Sequence, residues 1–260
     1  MPIRPLDAAE LLDVWELGRG RHPIDRALVL LAFASPDQDW EQLCALPVGE
    51  RNRRLLALRA ATFGPRLDLV TACPRCGEQL EFDFTFPLDQ LQPILPGTVE
   101  RPLPGGAWIR LRLPDSRDLA AVAATGDGSA GEQVLLSRCL LGHLTDGANP
   151  PIGLGGGDIG AGGLAGASAW AALKAAFTLA VEEADPLASI GFPVNCPDCG
   201  QAWEARLDPL DYLWRELHQR AIQLSREVHQ LARAYGWTEG EILRLSPARR
   251  RLYLEQVEAM

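Results

Sequence analysis

CPRCGEQLEFDFTFPLDQL occupies residues 73–91, and CPDCGQAWEARLDPLDYLW occupies residues 196–214. Each stretch begins with Cys-Pro-x-Cys-Gly, runs on through a segment of extended character and arrives at Pro-Leu-Asp. The two-residue spacing lets both thiolates of a unit face one ion, and the glycine after the second cysteine permits the tight turn this requires. Two such units supply the four sulfurs of a tetrahedral site: Cys73, Cys76, Cys196 and Cys199. A site with thiolate in all four positions has no place for water or substrate, so its expected role is structural, with one zinc per chain. Iron held by four cysteines uses similar knuckles and stays open at this point.

Cys-Pro-x-Cys also occurs in thiol oxidoreductases, where a helix N-terminus behind the first cysteine lowers its pKa. Here each pair is followed by glycine and a segment of period two, which fits a metal knuckle. Two separate half-sites would have only two protein ligands each, so one shared site is expected. Sharing turns residues 77–195 into an insertion within one folded unit.

Outward from the cysteines, Leu80, Phe82, Phe84 and Phe86 alternate with Glu81, Asp83 and Thr85, the pattern of a half-buried strand. LDLVTAC before it is its expected hairpin partner, and SIGFPVN with QAWEARL forms a second hairpin. A proline, Pro87 or Pro209, then precedes an expected helix in each copy. The chain thus reads as two copies of one hairpin-to-helix element, related by an approximate two-fold axis through the metal. After the second copy, Leu210, Trp214, Leu217, Ala221, Leu224, Val228, Leu231 and Tyr235 recur at steps of four and three. Such a helix packs along its length, either in the core of its own subunit or as an intermolecular coiled coil. TEGEILRLSP and SPARRRLYLEQVEA, each with a Thr or Ser cap, are two short terminal helices.

Three helices are expected before the first knuckle: DAAELLDVWELG, HPIDRALVLLAFA and GERNRRLLALRAATFG, the last ended by Gly64-Pro65. Inside the insertion, AWIRLRL (107–113) reads as a strand, and helices follow from Asp115, over EQVLLSRCLLG and over AWAALKAAFTLAVEEAD (169–185). Nine glycines between Gly147 and Gly166 mark a flexible loop over 147–167. The expected class is α+β. It comprises an N-terminal helical layer (1–65), a metal-hairpin core with its helical insertion (66–207) and C-terminal helices (208–260), all one cooperative unit.

The 25 basic and 34 acidic residues give a net charge of −9, which disfavours nonspecific binding to nucleic acid or anionic membranes. The longest apolar run, ALVLLAFA at 27–34, is far shorter than the roughly 20 residues that span a bilayer. Acidic residues in MPIRPLDAAELLD stand where a secretory signal would place its apolar centre, so a cytoplasmic protein with reduced thiols is expected. Cys44 and Cys139 lie in apolar helical stretches as small buried hydrophobes; a Cys139–His143 ligand pair lacks a second pair nearby. Gly155, Gly157 and Gly160 match G-x-G-x-x-G only formally, because no strand precedes them. His22, His143, His218 and His229 form no metal or catalytic pattern, so no catalytic residues are expected. Arg51, Arg53 and Arg54, with Arg249, Arg250 and Arg251, read as helix-surface charge or as a docking patch for an acidic protein or nucleic acid, and the carboxylates of the terminal helices read as solvated faces.

The segments PVGERNRRLLALRAATFGPRLDLVTACPRCGEQLEF, NCPDCGQAWEARLDPLDYLW and REVHQLARAYGWTEGEILRLSPARRRLYLEQV, in that order, resemble the baseplate hub assembly chaperones of contractile-tailed phages and their relatives in phage-derived contractile injection systems. HPIDRALVLLA is similar to them as well, and the likeness covers most of the chain outside roughly 125–167. The resemblance implies a nonenzymatic protein that helps build, or joins, a baseplate through contacts with hub, spike or other baseplate proteins. It supplies no partner-binding residues. A zinc-ribbon nucleic-acid binder and a four-cysteine iron or redox protein are the alternative readings.

Overall fold

The computed structural model describes residues 3–88, 92–95, 97–104, 108–144 and 167–259. The 147–167 loop reading and the Gly155–Gly160 pattern therefore lie outside the described residues, apart from the last position of that loop. Before the first knuckle come α1 (Ala8–Gly18), α2 (Pro23–Ala34), a short α3 (Trp40–Cys44) and α4 (Val48–Phe63). Local chemistry sets their ends. Asp7 and Glu10 form a capping box on α1, and Asp39 and Gln42 form another on α3. The His22 ring accepts from the Ile24 N–H at the start of α2, and Gly64, at φ 101°, stops α4. The short α3 is the apolar helical stretch expected around Cys44.

The long helix α8 (Pro209–Tyr235) closes this layer. Its Leu210, Leu213, Leu217, Ala221 and Leu224 share one core with Val14 of α1, Leu28 and Leu31 of α2, and Leu55 and Leu58 of α4. From Leu210 to Leu224 the 3.5-residue stripe is thus packed into the core of its own chain, while Trp214, Val228 and Tyr235 are half-buried. Hydrophobic burial at about 25 cal/mol per Å² makes such a stripe the main local stabiliser, since propensity alone is weak. The chain's N-terminal and C-terminal parts consequently form one unit.

Residues between the knuckles build a second core. Strands β3 (Thr98–Pro102), β4 (Trp108–Arg112) and β5 (Leu140–Leu144) form an antiparallel sheet in that order, beside α5 (Ser116–Ala123), α6 (Gly128–Cys139) and α7 (Ala167–Ala184). Ile109, Leu111, Leu136, Cys139, Leu173 and Phe177 are buried together there. The helix read over EQVLLSRCLLG ends at Cys139, and Leu140 onward pairs with β4 instead. The open edge of β4 offers backbone partners that a continued helix would leave unused. Strand β3, in a stretch dense in proline and glycine, was also unforeseen. Asp118, fully buried, accepts from Arg112 and Arg138 and knots α5 to β4 and α6. Burial opposes its charge, but these guanidiniums outweigh it and hold the carboxyl well below its usual range.

The helix expected after Pro87 is absent among the described residues. Leu88 is a turn residue, and Gln92–Leu95 has no regular structure. Pro93 cannot donate to a helix and biases Gln92 away from helical geometry, while Ile94 N donates to the Glu50 carboxylate at 3.1 Å. The surface-charge reading holds for Arg249 and Arg251, which are exposed, and is corrected for the other clustered arginines. Arg51 and Arg250 are only 8% and 2% exposed, and Arg53 and Arg54 clasp the buried Glu50.

Arg250 lies in α10 (Pro247–Glu258), which follows α9 (Glu239–Leu243) and folds back on α8. Its guanidinium donates to Glu227 at 3.0 Å and to the Leu245 carbonyl at 2.6 Å, and Arg220 donates to the other Glu227 oxygen at 2.8 Å. Glu227 is therefore a buried partner rather than part of a solvated face. Removing one side of a buried pair leaves an uncompensated charge. Arg250→Met is expected to lose about 3 kcal/mol in urea unfolding, with much of this recovered in Arg250→Met/Glu227→Leu. A single variant as stable as the parent would show that the pair does not hold α10.

Candidate metal centre

The two Cys-Pro-x-Cys-Gly units sit at the tips of two antiparallel hairpins, β1 (Arg66–Ala72) with β2 (Gln79–Thr85), and β6 (Ile190–Asn195) with β7 (Ala202–Leu207). Both tips are closed by the same pair of backbone bonds. Cys73 N donates to Glu78 O at 2.8 Å and Gly77 N to Cys73 O at 2.9 Å; Cys196 N donates to Gln201 O at 2.9 Å and Gly200 N to Cys196 O at 3.0 Å. Gly77 and Gly200 take φ values of 80° and 69°, a conformation that a Cβ would strain. The glycine of each unit is thus needed for the turn that aims the sulfurs.

All four Sγ atoms lie within 4.8 Å of one another. Cys73 Sγ meets Cys199 Sγ at 3.6 Å, and Cys76 Sγ meets Cys196 Sγ at 3.5 Å. In both contacts the first cysteine of one unit meets the second of the other, so exchanging the units leaves the pattern unchanged, as a two-fold arrangement requires. A metal bonded to sulfur at about 2.3 Å in a tetrahedron sets sulfur–sulfur edges of about 3.8 Å, and the observed spacing can hold such an ion. Cys73 and Cys196 are buried, Cys199 is half-buried and Cys76 is exposed.

The sulfurs differ in their readiness to ionise. Burial works against the Cys73 thiolate, but the N–H groups of Cys76 and Arg75 outweigh it and bring the thiol down to about 6. The Glu78 N–H favours the Cys76 thiolate, yet contact with Cys196, joined by burial and the other sulfurs, pushes Cys76 up to about 12. Four adjacent thiolates repel one another. A cation at their centre removes that conflict and takes the place of protons.

Behind the sulfurs the hairpins share a third core. Leu67, Leu69, Ile190 and Leu207 are buried against Leu56 of α4 and Leu187 of a 3-10 turn (Pro186–Ala188). Phe82 and Phe84 approach Phe192 of the opposite hairpin edge-on, at 5.7 and 5.0 Å. The Tyr212 hydroxyl, near the start of α8, donates to Asp68 O and accepts from Asp68 N, both at 3.1 Å. Arg59 of α4 donates to the Arg66 and Gly64 carbonyls and to both Glu216 oxygens of α8, at 2.9 and 2.7 Å for the latter. Sequence reading missed Arg59 and Glu216, because nothing local links residues so far apart.

The remaining candidates fall elsewhere. Burial raises the thiol of Cys44, and it pushes the fully buried Cys139 up to about 12, as in inert core cysteines. The side chain of His143 lies outside the described residues. His22 caps α2, His218 accepts from Trp15 Nε1 at 2.8 Å and His229 is exposed. Among the described residues, the four cysteines are the one group of three or more potential ligands drawn close enough to hold a metal. Within the same limits, no helix is long and apolar enough to cross a membrane. Comparison of the chain with protein-family models, with curated proteins and with solved structures finds no match.

Elemental analysis of freshly purified, unchelated protein is expected to find close to one metal per chain, and Cys196→Ser to abolish it. Because metal binding contributes an apparent ~10–16 kcal/mol in small zinc domains, chelation is expected to release the ion and expose the hairpin amides to hydrogen exchange. A metal content near zero would sink the shared site. Mild oxidation of the metal-loaded protein with diamide, which takes two electrons per thiolate pair, should eject the ion and form Cys73–Cys199 and Cys76–Cys196 disulfides. Peptide mapping that finds mainly Cys73–Cys76 and Cys196–Cys199 would contradict the cross-hairpin contacts.

Proposed function

We propose that this chain is a nonenzymatic assembly factor or structural component of a contractile-tail or injection-system baseplate, working in the cytoplasm and stabilised by a structural zinc. The observation that carries the reading is how the resembling segments fold. PVGERNRRLLALRAATFGPRLDLVTACPRCGEQLEF makes α4 with the first hairpin, NCPDCGQAWEARLDPLDYLW joins the second hairpin to α8, and REVHQLARAYGWTEGEILRLSPARRRLYLEQV runs from α8 to α10. The first two segments meet through the four sulfurs, the hairpin core and the Tyr212–Asp68 bonds, and α8 carries the second on into the third. They make one continuous scaffold, and a scaffold is what a protein acting through contacts with others requires. A four-thiolate centre has no open position for a reacting group, which fits a structural ion.

Inspection of the neighbouring genes for hub and spike proteins, with co-expression of any found there, tests the proposal. A complex that survives gel filtration is expected. Neighbouring genes unrelated to tails, with no such complex, would overturn it. The purified protein should be colourless, since a visible iron–thiolate spectrum would favour the iron or redox reading.

A further inference from the structure

We infer that the end of the molecule formed by the last turns of α8 with α9 and α10 is a docking surface for an acidic, apolar-anchored segment of a partner protein. Residues 220–258, which run to the end of α10, hold seven arginines against five glutamates in a chain whose net charge is −9. Arg220 and Arg250 are used internally, on Glu227. The other five, Arg226, Arg233, Arg244, Arg249 and Arg251, are exposed and have no ion-pair partner among the described residues. Elsewhere most arginines are spent on carboxylates, as Arg59 is on Glu216 and Arg110 on Glu100. Positive charge left free in one region of an acidic protein attracts acidic groups and steers their approach.

The same region carries aromatic anchors. Tyr235 and Trp237 stack at 4.6 Å, and Tyr253 of α10 packs edge-on against Trp237 at 5.0 Å. All three remain half-buried rather than buried. Arg249 stands three residues before Leu252 and four before Tyr253, so helical spacing puts these three on neighbouring positions of α10, and Leu252 is 55% exposed. Tyr, Trp and Arg around an apolar centre are the side chains that dominate protein–protein binding energy. The surface is also set in advance, since Arg250 locks α10 to α8 and to the Leu245 carbonyl. The partner is a protein rather than a nucleic acid because the aromatic faces are turned on one another, which leaves them poorly placed to stack on bases. Helix α8 is 27 residues, about 40 Å, long, and sets this surface well away from the hairpins at its other end.

The test uses the full-length, metal-loaded protein, a helical peptide of alternating Glu and Leu clusters, and a short DNA duplex, each titrated at low and at high salt. The peptide is expected to bind more tightly than the duplex, to weaken with salt, and to lose about tenfold or more in affinity against Arg249→Glu/Arg251→Glu. Arg21→Glu, an exposed change elsewhere, should bind like the parent, and both variants should keep their metal and helical content. Tighter binding of the duplex, no peptide binding at low salt, or equal binding by the charge-reversed variant would each overturn the inference. The surface stands on these observations alone. Failure of the baseplate complex to form leaves it intact, and failure of charge reversal leaves the baseplate reading intact.

Discussion

Four sulfurs that must meet at one point constrain the rest of this structure. Cys73 and Cys199 stand 126 residues apart, and Cys76 and Cys196 stand 120 apart. Bringing such distant positions together carries a loop-closure cost that grows only slowly, by about 0.6 kcal/mol per doubling of loop length. A large insertion between the knuckles is therefore tolerable once a strong local interaction closes the loop. A metal held by the four sulfurs would supply such an interaction, and the phenylalanines and leucines beneath them extend the closure over the two hairpins. The intervening sheet and helices then carry a core of their own.

The helical part is governed by a different balance. The stripe on α8 is apolar and buried along most of its length, but at its edges polar groups are paired in matched sets: buried Arg59 with half-buried Glu216, and buried Arg250 with half-buried Arg220 on Glu227. Buried ionic groups contribute little net stability over apolar replacements of the same volume, while an unmatched one is strongly destabilising. Their effect here is to fix which helix lies where. Leucine against leucine tolerates sliding, whereas a guanidinium that must reach one carboxylate and particular carbonyls permits few placements.

The elements legible in the sequence were those whose signal is local. Both hairpins, the α8 stripe, the caps at Thr238 and Ser246, and the cysteine quartet are each encoded within a few neighbouring residues. The metal site could be read because two identical short units announce each other across any distance. What escaped was decided by distant partners. Leu140 and Leu141 suit a helix or a strand equally, and the free edge of β4 chose the strand. Arg51 and Arg250 look like any surface arginine until the chain folds over them. The repeat of Pro-Leu-Asp after each hairpin suggested two equal continuations, but only Pro209 opens a helix among the described residues, for Pro93 interrupts the other.

The placement of α8 also imposes an order of events during synthesis. The apolar faces of α1, α2 and α4 are completed by Leu210 to Leu224, and Cys73 and Cys76 are completed by Cys196 and Cys199. Both the principal core and the metal centre are thus split between the first and last thirds of the chain. At roughly 5–20 residues per second, an emerging N-terminal layer waits for several seconds with its leucines uncovered and half its ligands unmatched. Within that interval the insertion, with its own core, is the part able to bury its apolar residues. Synthesis of α8, rather than of the first knuckle alone, thus sets when the principal core and the four-cysteine cluster can close.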